Sequence, residues 1–384
     1  MTGRQTKRRE TFGTLRKRES GRYQATYMGP DGKRHSAPTT FQTMGDARAY
    51  LRGVQARIAS GTWQSADTER AEHERRALPF AAFATRWLDG RTSVGGKALR
   101  PTTLAEYRRL LAGPLAPLAD LPLPSITRAV VEDWRTPLLM SGTRTQAARA
   151  YTLLSAIMGS AVDRGLIDAS PCTIRGAAST RTGKRVNPPT RDELATIVEH
   201  VPERYRMLVL LAAWSGLRFG ELSELRRKDI HGYREAEGLI ELHVSRGVVH
   251  VAGQGAVVGP PKTSAGERVV ALPSSVPGLY DALRAHLAER VGAYPDALLF
   301  TGADGESHLR QSTVAKVFYP ARETAGRPDL PWHGLRHFAA SQYAAAGATE
   351  AEIMARQGQR SPGMVRRYVH TTGREADLAA RMGA

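Results

Sequence analysis

The sequence predicts a multidomain, mainly α-helical protein with small β elements, and three observations carry that expectation. The chain has 384 residues, enough for two or three domains at roughly 150 residues each. After residue 79 most segments show apolar residues at helical spacing. Strand-like runs are short and confined to the first forty positions and to 239–244 and 268–272 in the last third.

Residues 13–16 and 23–27 read as short strands, with Pro30-Asp31-Gly32-Lys33 as a turn before a further strand-like run. A helix over 44–60 follows, with Ala47, Leu51, Val54 and Ile58 on one face and Gly61 as its stop. Residues 1–65 therefore form a three-stranded sheet plus helix. Residues 66–78 are charged and aperiodic, which marks a linker. Helices are expected over 79–90, where Phe80, Phe83, Ala84 and Trp87 share a face, and over 102–112, between Pro101 and Gly113-Pro114. Two more cover 127–140, where Pro137 is expected to kink or end the helix, and 143–164, with Gly165 at its end. Residues 79–170 are thus an all-helical domain. Residues 171–189 carry Gly, Ser, Thr and Pro and no acid, as a basic interdomain linker should. Thr190-Arg191-Asp192-Glu193 is a capping box that opens a third domain over 190–384, mostly helical around the two strand-like runs.

Composition narrows the function. There are 55 Lys and Arg against 37 Asp and Glu, a formal charge of +18. The single cysteine, Cys172, excludes a disulfide framework and a multi-thiolate metal site, which points to a reducing compartment or leaves its thiol state irrelevant, and it reads as a small apolar residue. The charged stretch 1–9 precedes no apolar core, so no secretory signal is expected. The longest apolar run, 207–214, is far short of the ~20 residues that span a bilayer. A soluble, cytoplasmic protein with no membrane contact is the expectation.

Such charge calls for a polyanion, and nucleic acid is the commonest, because basic side chains displace condensed counterions from phosphates. Only eight of the 55 cations are Lys, a bias that an Arg-rich coding background produces unaided, so location says more than the sum. Ten cations oppose three acids over residues 1–36, and Arg16, Lys17, Arg18, Arg22, Lys33 and Arg34 lie on or beside the predicted strands. Arg175, Arg181, Lys184 and Arg185 stand in the acid-free linker. These ten are the candidate DNA-binding residues. No His-Glu-x-x-His, phosphate-loop signature or carboxylate cluster occurs, which argues against a two-metal nuclease and leaves no cofactor or metal expected.

Three stretches carry the chemistry: Ser215-Gly216-Leu217-Arg218-Phe219-Gly220-Glu221-Leu222, His333-Gly334-Leu335-Arg336-His337, and residues 361–370 with Arg367-Tyr368-Val369-His370. In order and spacing they resemble the tyrosine recombinase (phage integrase) family, with its Gly-Leu-Arg-x-Gly-Glu-Leu stretch, His-x-Leu-Arg-His box and C-terminal Tyr. Pro261-Lys262-Thr263 and the following Arg268-Val269-Val270 resemble its β-hairpin lysine. The likeness covers roughly residues 79–384. It implies a SAM-like helical core-binding domain, a mixed α/β catalytic domain, and an N-terminal module similar to arm-type, AP2-like DNA-binding domains.

Physical chemistry supports these residue types. A tyrosinate attacking a phosphodiester is an anion approaching an anion, so the pentacoordinate transition state needs fixed positive charge. Arg218 and Arg336 can each offer a planar fork and stay protonated. Tyr368 is a weak nucleophile until a base or nearby cations activate it. His333 lies three residues before Arg336 and can relay the proton. Lys262 is suited to protonate the departing 5′-oxygen. Glu221 would orient Arg218 or its partner. The resemblance implies a 3′-phosphotyrosyl intermediate without metal or ATP, and His337 and His370 are assigned to structure.

One position departs from the family. Where its Leu-Gly-His-Ser pattern stands, nine residues before the tyrosine, this chain reads Gln357-Gly358-Gln359-Arg360. Gln359 can donate a hydrogen bond or buttress Tyr368 but cannot supply a proton, so reduced rather than abolished activity is expected. The resemblance further implies double-stranded DNA with core and arm-type sites, a homotetramer on that DNA joined through the tail 374–384, and an excisionase and a host DNA-bending protein as partners. Alternatives of other classes are a type IB topoisomerase and a DNA-binding regulator with a decayed site.

Overall fold

The computed structural model describes residues 12–65, 67–68, 77–92, 96, 98–180, 186–235, 238–261 and 264–359. These divide into two compact units, one formed by residues up to 99 and 106–181, the other by 100–105 and 182 onward.

The first unit begins with an antiparallel sheet of β1 (Thr14–Lys17), β2 (Tyr23–Met28) and β3 (Arg34–Ser36), in the order β1-β2-β3. Arg16 pairs with Gln24 and Thr26 with Ser36. Alternation along β2 buries Ala25 and Tyr27 against α1 (Met44–Ala59), whose Ala47, Leu51 and Val54 face them. Gln24, Thr26, Arg16 and Arg34 consequently share the outer face. Thr43 caps α1 through the Asp46 amide.

The helical part follows with α2 (Phe80–Asp89), α3 (Pro101–Ala112), α4 (Arg128–Met140) and α5 (Arg144–Asp163). Phe80, Phe83, Trp87, Leu154, Ile157 and Met158 are buried, and the Trp134 indole donates to the Pro114 carbonyl at 2.6 Å. The helix expected over 127–140 forms and does not end at Pro137: α4 runs on to Met140, with Pro137 close to its end. There the lost amide and the ring clash disturb little more than one turn.

The second unit opens with α6 (Arg191–His200), started by the reciprocal Thr190–Glu193 capping box, and α7 (Glu203–Ser215). The apolar run 207–214 is the buried body of α7, which explains a helix with little amphipathic contrast. After α8 (Phe219–Glu224) comes a sheet of β4 (Ile230–His231), β5 (Glu241–Val244) and β8 (Arg268–Ala271), antiparallel in the order β4-β5-β8. Between β5 and β8 a separate hairpin, β6 (Gly247–Val251) with β7 (Gly255–Gly259), departs from the expectation of only two strand runs in this domain. Its valine-rich flanks around Ala252-Gly253-Gln254 are the signal that periodicity over so short a stretch fails to resolve.

The remaining helices are α9 (Leu279–Glu289), α10 (Gln311–Thr324), α11 (His333–Ala345) and α12 (Glu350–Gln357). Phe338 of α11 meets Trp214 of α7 edge-on at 5.1 Å, and Trp332 meets Phe318 of α10 at 5.1 Å. Among the described residues no helix is long and apolar enough to cross a membrane. At the start of α12 the Thr349 hydroxyl accepts from the Glu352 amide while the Glu352 carboxylate accepts from the Thr349 amide. Thr349→Ala is expected to weaken that turn by about 1 kcal/mol, read as roughly fivefold faster amide hydrogen exchange over residues 350–353 with the rest of the chain unchanged.

Candidate active site

The site is built where two helix ends meet. Helix α7 stops on Gly216, whose left-handed backbone (φ 69°) suits glycine and whose added Cβ would stand 3.0 Å from Ala339 of α11. The turn that follows puts Arg218 immediately before α8, where its backbone N–H donates to the Glu221 carboxylate at 2.8 Å. On the other side α12 stops on Gly358 (φ 59°), where a Cβ would lie 2.8 Å from the Ala265 carbonyl.

The last carbonyls of α12 have no partner within the helix. Three guanidiniums satisfy them in succession. Arg268 Nε donates to the Arg356 oxygen at 2.7 Å, Arg336 Nη2 to the Gln357 oxygen, and Arg218 Nη2 to the Gly358 oxygen at 3.0 Å. Arg336 Nη1 also donates to the Gly216 oxygen at 2.6 Å, which ties the end of α7 to the end of α12 through one side chain. The negative end of a helix dipole favours cations at this position.

Glu221 supplies the counter-charge. It is buried and pairs with Arg218 at 2.8 Å and with Arg268 at 2.9 Å. Burial alone would raise its carboxyl, but the hydrogen bonds and charge of Arg268, with those of Arg218, hold it below the ordinary 4.5. Glu221, expected to orient Arg218 or its partner, lies between Arg218 and Arg268. Sequence reasoning missed Arg268, although it closes the motif that carries Lys262; its signal is a cation on a strand that faces a buried acid already paired with Arg218.

His333 is the first residue of α11. Burial pushes its imidazole below the usual 6.5, and the charges of Arg336 and Arg218 push the same way, so it is neutral near pH 7. The His337 ring stands edge-on to it at 4.9 Å, as a packing neighbour. Gln359 is buried and its Nε2 donates to Gln357 Oε1 at 2.9 Å. Of the expected site residues, Arg218, Glu221, His333, Arg336 and Gln359 come together in this way, whereas Lys262 and Tyr368 lie outside the described residues.

Among the candidate DNA-binding cations, Arg16, Lys17, Arg18, Lys33, Arg34 and Arg175 are exposed. Arg18 holds Gln24 Oε1 through Nε and Nη2 at 3.1 and 2.8 Å, while Arg22 is half-buried and donates to the Thr40 hydroxyl at 2.7 Å. Arg181, Lys184 and Arg185 lie outside the described residues.

Comparison with known proteins gives the family. Residues 11–64 match the family described as phage integrase, N-terminal domain, and residues 189–375 match the phage integrase family. A prophage phiRv2 integrase of Mycobacterium tuberculosis (strain H37Rv) is 40% identical over 383 residues, covering 99% of this chain and 97% of the relative. The chain belongs to the phage integrase family of tyrosine recombinases. It is therefore an enzyme of DNA recombination. The integrase of Mycobacterium phage D29 is 35% identical, covering 98% of this chain and 97% of its own. The fold is shared with the Tn1549 transposon integrase solved with a circular intermediate DNA (TM-score 0.65, 17% identity, 80% of this chain and 100% of that one). It is shared also with a lambda integrase dimer bound to a COC′ core site (TM-score 0.58, 21% identity, 96% and 98%).

The carboxylate is the test of this integrase site's electrostatics. A depressed folded pKa means that Glu221 stabilises the fold fully above its unfolded value near 4.5 and that the contribution is lost as pH falls through the folded value. Glu221→Gln is expected to lower stability at pH 7 by about 3–5 kcal/mol, because Arg268 loses its buried counter-ion. The gap to wild type should close below pH 4.5, read as denaturation midpoints by circular dichroism.

Proposed function

We propose that this protein is a site-specific integrase that cleaves and rejoins DNA through a covalent 3′-phosphotyrosine at Tyr368, integrating or excising a phage or other mobile element. The observation that carries the reading is the convergence of Arg218, Arg336, His333 and Gln359 at the end of α12, nine residues before Tyr368 in sequence.

The proton and charge traffic follows from the groups. Tyr368 attacks the scissile phosphorus, and its phenolic proton passes to the neutral His333, whose low basicity favours passing it on. Arg218 and Arg336 hold the two nonbridging oxygens as negative charge builds. The bond to the 5′-oxygen breaks, and Lys262 protonates that oxygen. The phosphotyrosyl ester retains the bond energy, so attack by a new 5′-hydroxyl reverses each step without ATP. Gln359 supplies hydrogen bonding only.

The exposed outer face of the β1-β2-β3 sheet, with Arg16, Gln24 and Arg34, supports arm-type site binding by the module over 1–65. The helical domain over 79–170, the linker over 171–189 and the catalytic domain over 190–384 would enclose the core site. Lambda integrase has been solved as a tetramer bound to a Holliday junction, and a homotetramer on double-stranded DNA is the assembly proposed here, with an excisionase and a host DNA-bending protein setting direction.

The decisive experiment incubates the protein with a nicked suicide substrate carrying candidate attachment sites. A covalent protein–DNA adduct is expected from wild type and none from Tyr368→Phe; a wild type that forms no adduct sinks the reading, and relaxation of any supercoiled plasmid without a defined site would favour a topoisomerase. Deleting residues 1–65 should abolish recombination between attachment sites in a plasmid assay yet spare cleavage of a core-site substrate.

A further inference from the structure

Gln357 is among the most buried polar residues described, with 1% of its surface exposed, and it occupies the position where the family pattern carries an apolar leucine. A buried amide is costly unless its donors and acceptor are met. Here both ends are met, and by the site itself. Its Nε2 donates to the backbone oxygen of Arg336 at 3.1 Å, its Oε1 accepts from Gln359 Nε2 at 2.9 Å, and its own backbone oxygen accepts from the Arg336 guanidinium. One residue thus holds the Arg336 backbone, the Arg336 side chain and the Gln359 amide.

We propose that Gln357 is a positioning residue: it fixes the orientation of the Gln359 amide so that Gln359 Oε1 is presented as an acceptor for a hydroxyl in the DNA complex. The orientation is determined by chemistry, because Gln357 Oε1 can only accept, so the Gln359 nitrogen must face it and the Gln359 oxygen must face away. That oxygen is buried and meets no donor among the described residues. An unmet buried acceptor costs about 1–3 kcal/mol, a penalty that an incoming O–H relieves and a phosphate oxygen, itself an acceptor, does not. In this chain the paired amides stand where the family pattern has Leu and His. The inference rests on the recombinase reading.

The test is a double-mutant cycle on the full chain, measuring single-turnover cleavage of the nicked substrate at saturating DNA, DNA affinity by gel shift and thermal melting. Gln357→Met keeps the shape and removes both hydrogen bonds. It is expected to slow cleavage about tenfold with DNA affinity within twofold of wild type, and Q357M/Q359M should be no slower than Q359M alone. Gln357→Glu retains the acceptor for Gln359 Nε2 and should cleave about fivefold faster than Q357M; this comparison stands even if Q357M melts early. Wild-type cleavage rates in Q357M, or factors that multiply in the double variant, would overturn the positioning role while leaving the integrase function intact. Failure of wild type to form any adduct would overturn both.

Discussion

The site depends on three guanidiniums held within one helix end. Arg268, Arg336 and Arg218 would repel one another strongly at such proximity, and one carboxylate, Glu221, offsets only part of it: three positive charges less one negative leave +2. The rest of the attraction comes from the carbonyls of residues 356–358, the negative end of α12. This accounts for features that otherwise look unrelated. The Thr349–Glu352 box fixes where α12 begins, Gly358 lets the chain turn away without closing the cation cluster, and Gly216 lets α7 stop with its carbonyl aimed at Arg336.

The residual +2 suits the proposed reaction. In the proposed reaction a phosphodiester would bring one negative charge and gain more as the transition state forms, so a site left positive after its internal pairing would stabilise the later state more than the earlier one. Because backbone oxygens already hold the guanidiniums, substrate binding does not have to order them. At Arg218 arginine suits this better than lysine: its fork holds Glu221 and the Gly358 carbonyl and still leaves donors at the surface.

Much of this was legible in the sequence, for a physical reason. Arg218, His333 and Arg336 sit at helix starts whose local chemistry is encoded in adjacent residues, and Glu221 lies one turn from Arg218. The helices with a one-sided apolar stripe, such as α1 and α2, were equally readable. Arg268 was not, because its partners, Glu221 and the Arg356 carbonyl, are brought to it only by the packing of β8 against α12. The β6–β7 hairpin escaped because its valines are too few to show a period, and Pro137, near its helix end, does not stop α4. Gln357 was visible as a departure from a pattern, but its meaning lies in two hydrogen bonds across space.

Arg268 and Arg218 also divide their labour in a way that exposure and bonding decide together. The Arg268 side chain is only 6% exposed and engages four of its five N–H groups, two of them on Glu221 and two on backbone oxygens, so it has little left for a ligand and serves as scaffold. Arg218 has the same carboxylate and one carbonyl, but 41% of its side chain is exposed, so donors remain, which the proposed function assigns to phosphate. Glu221 is what makes the division possible: held by Arg268, it fixes Arg218 from behind while being too deep to compete at the surface. A shorter acid at 221 could not reach both guanidiniums from α8, and the cation at 218 would then be aimed by its backbone contact alone.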